Sequence, residues 1–132
     1  MSSESLRQFA RSPQGHQVVT LLRDDDITHA TLLQRVHASV VPALHAVVTK
    51  AEYGFQPEWQ FKTEMFFEPS DWHAWPVRVH ISIGLALSFL IEMGNVPLEL
   101  HPKRAQTGTK VYRACPPLDG DWSGFYTPEL SS

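Results

Sequence analysis

From Val77 to Ile91 every odd-numbered position is apolar: Val77, Val79, Ile81, Ile83, Leu85, Leu87, Phe89 and Ile91. The even positions opposite them are Arg78, His80, Ser82, Gly84, Ala86, Ser88, Leu90 and Glu92. Alternation of this kind puts the two sets on opposite faces of a pleated strand, so the segment predicts a strand with its odd face against a core. Fifteen residues is long for one strand, and Gly84 is where a bulge or bend would divide it. Gly94-Asn95 then predicts a hairpin turn leading into alternation at Val96, Leu98 and Leu100. Upstream, Trp59, Phe61, Met65 and Phe67 alternate with Gln60, Lys62 and Glu64, which predicts a half-buried strand from Glu58 to Phe67. A fourth strand is expected around Thr109 to Ala114.

The first half of the chain follows a helical period instead. Leu6, Phe9 and Ala10 form a short apolar stripe, and Ser12-Pro13 has the form of an N-cap with proline at the first helical position. Asp24 to Asp26 with Thr28 mark the next helix start, because carboxylates favour a helix N-terminus. From there Leu33, Val36, Val40, Leu44 and Val47 recur at spacings of three and four, predicting one amphipathic helix to about Lys50. Pro42 falls inside it, on the side expected to face solvent, where a kink curves the helix around the core. The expected architecture is a single α+β domain over residues 1–132: two or three N-terminal helices packed on a C-terminal, four-stranded, mostly antiparallel sheet.

Composition narrows the functional classes. The net charge is −3 and the eleven basic residues are scattered, which argues against a surface for a phosphate backbone and hence against DNA as partner. The longest apolar stretch includes Arg78, His80 and Glu92, which reads as core and not as a membrane span. The first residues lack a basic patch followed by an apolar run, and the single cysteine, Cys115, cannot form an internal disulfide; both suit a cytoplasmic setting. No phosphate loop, dinucleotide fingerprint or nucleophile elbow occurs, so no cofactor is expected.

Three kinds of site are worth weighing: a catalytic set, candidate metal ligands, and an aromatic and acidic set. Glu64, Arg78 and His80 share parity on the expected polar sheet face, where they could act as base, charge stabiliser and acid in metal-independent RNA cleavage. Ordinary cross-strand charge pairing is the plainer account of them. His29, His37 and His45 are spaced by eight, which turns each about 80° from the last, so they do not converge on a metal. Asp71-x-His73 offers two ligands without a third, and no metal is expected. The third set is aromatic and acidic: Trp72, Trp75, Trp122 and Tyr126, with Asp71, Asp119 and Asp121, in segments rich in proline and glycine. Aromatic side chains in surface loops are favoured contacts for another protein.

These observations favour a non-enzymatic interaction module, in the manner of an inhibitor, a toxin-neutralising immunity protein or a small chaperone, over the ribonuclease alternative. The partner would be a protein, bound through the third set. Oligomeric state is left open by the sequence.

Overall fold

Residues 77–92 form a helix, not a strand. In the computed structural model, which describes residues 3–22, 28–100 and 110–126, the chain runs α1 (Ser3–Arg11), α2 (Pro13–Leu22), α3 (His29–Thr49), a 3-10 turn (Thr63–Phe66), α4 (Pro69–Ala74), α5 (Val77–Glu92), β1 (Leu98–Leu100), β2 (Tyr112–Ala114) and a second 3-10 turn (Ser123–Phe125). The expected four-stranded sheet is thus replaced, among the described residues, by five helices and one antiparallel pair of short strands.

The helical period was present in the segment beneath the alternation. Val79, Ser82, Ile83, Ala86, Leu87 and Leu90 recur at spacings of three and four, and all are buried. Four of the odd residues are not: Leu85 and Ile91 are only half-buried, Val77 is 70% exposed and Ile81 47%. The even positions that should have been polar are mostly small or apolar between Ser82 and Leu90, so alternation offered no real solvent face there. Sixteen residues also suit a helix better than a strand. The ends agree. Pro76 is the extended N-cap residue, and Gly94, at φ +72°, stops the helix. The Asn95 N–H donates to the Leu90 carbonyl at 2.9 Å and the Gly94 N–H to the Ile91 carbonyl at 3.1 Å, the paired bonds of a Schellman motif. Gly94-Asn95 is a helix stop where a hairpin turn was expected.

The expected strand from Glu58 to Phe67 reduces to one bridge. Phe61 and Tyr112 exchange two backbone hydrogen bonds of 2.8 Å each, and the chain then tightens into the first 3-10 turn. Beyond it, β1 and β2 pair with Leu98 opposite Ala114, Glu99 opposite Arg113 and Leu100 opposite Tyr112. Glu99 and Arg113 form a cross-strand ion pair. The final strand lies where it was expected, although Thr109 falls outside the described residues.

The N-terminal helices follow the sequence reading closely. α2 begins at Pro13, and the Gly15 N–H donates to Ser12 Oγ at 3.0 Å, so Ser12 is the cap. Thr28 caps α3 by accepting from the Thr31 N–H at 3.1 Å; Asp24 to Asp26 lie outside the described residues. α3 runs unbroken through an exposed Pro42. Its stripe of Leu33, Val36, Val40 and Leu44 is buried, but Val47 is 46% exposed, because the core ends about one turn before the helix does. α5 packs against α2 and α3, and Phe9 of α1 reaches the Phe89 ring at 5.0 Å between centroids. Among the described residues no helix is long and apolar enough to cross a membrane.

Candidate functional site

The segment between α3 and α5 gathers aromatic side chains. α4 is a six-residue helix that starts with Pro69 after an extended Glu68, places Asp71 in its first turn and has no fully buried residue. So short a helix cannot be stable by itself, and it is held by its side chains. The Phe67 ring lies 5.7 Å from Trp72 and 5.8 Å from Trp75, and the two tryptophans are 6.3 Å apart. The ring of His80, on α5, stacks on Trp72 at 3.9 Å, and its Nε2 lies 2.6 Å from the Trp72 carbonyl. A carbonyl can only accept, so Nε2 carries the proton.

Two adjoining hollows open beside this cluster. The first, about 180 Å³, is an apolar slot whose walls include Leu32 and Val36 from α3, Val79 and Ile83 from α5, and Phe67 and Trp75. The second, about 300 Å³, is a polar mouth bounded by Ser39 and Ala43 of α3 and by Glu68 and Asp71 at the start of α4. Arg35, Phe67 and Trp75 line both. The Arg35 guanidinium lies over the Trp75 ring, 5.3 Å from its centroid, a cation–π contact between two side chains that line both hollows.

The other half of the expected binding set is elsewhere. Trp122 is buried and stacks on His45 at 4.5 Å, while the Tyr126 hydroxyl lies 2.9 Å from His45 Nδ1. Asp119 accepts from the Asp121 N–H at 3.0 Å and Asp121 from the Ser123 N–H at 2.9 Å, so both carboxylates shape their own loop. The bonds to Ser123 hold the Asp121 carboxyl below its ordinary range. At about 100° per residue, Arg35, Ser39 and Ala43 flank the buried stripe of α3 on one side and His37 and His45 on the other. The structure therefore brings Trp72, Trp75 and Asp71 together beside the slot and mouth, and groups Trp122 and Tyr126 with α3 on its far side.

The premise behind Glu64, Arg78 and His80 does not form. None of the three lies on a strand, so they share no sheet face: exposed Glu64 lies in the 3-10 turn, Arg78 in the first turn of α5, and His80 is occupied with Trp72. Asp71 and His73 are both exposed on α4. Among the described residues no three His, Cys, Asp or Glu side chains gather as a metal site. Partial burial of its sulfur, with Glu99 beside it, pushes the Cys115 thiol up, away from a reactive thiolate.

The sequence reading missed Arg35, Phe67, Val79 and Ile83 as site residues. Arg35 borders an apolar stripe as many surface arginines do, and only the fold, which brings Trp75 at the end of α4 beside α3, sets it over that ring.

His37 is a buried histidine, hydrogen-bonded to the backbone at Asn95 and Phe125. Burial lowers its pKa below the ordinary histidine value of about 6.5. The unfolded chain then binds the proton more readily, so the contribution of His37 is intact above about pH 6.5 and is lost as pH falls toward the lower, folded value. Urea titrations across this window should show stability falling with acidification in the wild type and a shallower fall in His37→Gln. Equal slopes would exclude proton linkage at this residue.

Comparison with protein-family models, with curated proteins and with solved structures finds no match to the chain.

Proposed function

We propose that the chain is a non-catalytic cytoplasmic interaction module that binds another protein through the slot and mouth between α3 and α4. The observation that carries this reading is the shared wall: Arg35, Phe67 and Trp75 join an apolar hollow to a polar one at the surface. Aromatic and arginine side chains beside a desolvated pocket are the residue types that dominate binding energy at protein interfaces. A toxin-neutralising or chaperone-like role fits a small acidic chain that binds and performs no chemistry. The test begins with a photocrosslinker placed at Ser39, in the mouth, and a control at Thr49, exposed near the end of α3. A partner captured only from Ser39 is identified, prepared pure and titrated against wild type and Trp75→Ala. We expect at least about tenfold weaker binding by the variant, or about 1.4 kcal/mol. Equal affinity of the two proteins would remove the site from the interface.

A further inference from the structure

We infer that the segment this site receives is an extended, basic and apolar stretch of the partner, with one large apolar side chain in the slot and a lysine or arginine against Glu68 and Asp71. The inference rests on the interaction reading above and adds the chemistry of the occupant. Size comes first. At about 180 Å³ the apolar slot has room for a single large side chain, with the polar mouth of about 300 Å³ left for what flanks it.

Charge decides the neighbours of that side chain. From Glu52 to Asp71 the chain carries Glu52, Glu58, Glu64, Glu68 and Asp71 against Lys62 alone, and all five carboxylates are exposed. Two of them, Glu68 and Asp71, stand on the α4 side of the mouth, directly beside the slot. On the α4 side a cationic side chain adjacent to the anchor therefore meets two carboxylates, whereas an acidic one is repelled there and can pair only with Arg35 on the opposite side.

The α3 side of the mouth is different. Arg35 has donors and no acceptor, so it favours carbonyl oxygens, and Ser39 can either donate or accept. An extended peptide supplies both kinds of group, with backbone carbonyls toward Arg35 and a basic side chain toward α4. The acidic flank gives direction, the slot gives the anchor, and neither alone defines the occupant.

The experiment uses the isotopically labelled full-length protein and three capped hexapeptides. The first has a central leucine flanked by lysines, the second the same leucine flanked by glutamates, and the third a serine in place of the leucine with the lysines kept. The Trp75 indole and Ile83 methyl signals report the mouth and the slot. We expect the leucine–lysine peptide to move both signals and to bind at least about tenfold tighter than either other peptide. The double variant Glu68→Lys with Asp71→Lys, both exposed positions, should weaken it by a similar factor and improve binding of the glutamate peptide. If the glutamate peptide binds the wild type as tightly as the lysine peptide and moves the same signals, the basic occupant is overturned while the site stands. If no peptide at millimolar concentration moves Trp75 or Ile83, the site itself fails, and the proposed function with it.

Discussion

Ser82→Lys should destabilise the protein by about 3 kcal/mol or more, while Ile81→Lys, one position away, should cost little. Ser82 is fully buried on the core face of α5, and its hydroxyl donates to the Arg78 carbonyl one turn earlier at 2.8 Å. A lysine there must either bury an unpaired ammonium or push α5 off its neighbours. Ile81 has nearly half its surface in water, and a lysine can run its aliphatic stem over the same ground with its charge outward. The alternating pattern of residues 77–91 implies the opposite ranking, with Ile81 inside and Ser82 outside. Urea denaturation followed by circular dichroism separates the two. A larger loss for Ile81→Lys than for Ser82→Lys would restore the strand and refute the helix.

The second large effect belongs to Gly15. It is buried where α2 crosses the end of α1, and a Cβ built there would collide with the Phe9 carbonyl oxygen. That oxygen is not free to retreat, since it accepts from the Ser12 N–H at 3.0 Å and from the Ser12 hydroxyl at 2.6 Å. Helix propensity alone would reward alanine by about 1 kcal/mol. The collision is with backbone, so relief requires separating α1 from α2 and disturbing the core around Phe9. We expect Gly15→Ala to lose about 2 kcal/mol net. A stabilised variant would show that the two helices have room between them. Ser12→Ala is a useful companion, because it removes the cap without adding bulk and should cost about 1 kcal/mol.

What could be read in advance depended on whether one signal stood alone. Ser12-Pro13 and Thr28 were legible because a cap is local chemistry: a side-chain oxygen, a free N–H and a change of backbone direction within four residues. The buried stripe of α3 was legible because its period has no competitor. In residues 77–91 two periods overlap, and the choice between them needed the end signals at Pro76 and Gly94 more than the pattern between. Around Phe61 the alternation was genuine but short of partners. A strand forms only where a neighbour offers hydrogen bonds, and Tyr112 offers them at a single position.

The site divides in the same way. Trp72, Trp75 and Asp71 were visible as residue types in an unusual local composition. Their separation from Trp122 and Tyr126 was not, because it depends on which side of α3 each group meets. Arg35 and Ile83 enter the site only through the packing of elements distant in sequence, for which one sequence carries no local mark.

The short helix α4 sets how firmly this surface is held. With no fully buried residue, it is fastened to the body by Trp72, Trp75 and the contact with His80, while α5 beside it is buried along one face and stopped by two backbone hydrogen bonds. Local opening costs least where the fewest apolar groups must be exposed. Amide hydrogen exchange should therefore be graded across the molecule, rapid in α4 and slow in the centre of α5, so that one wall of the mouth can loosen and re-form while the helices behind it stay folded.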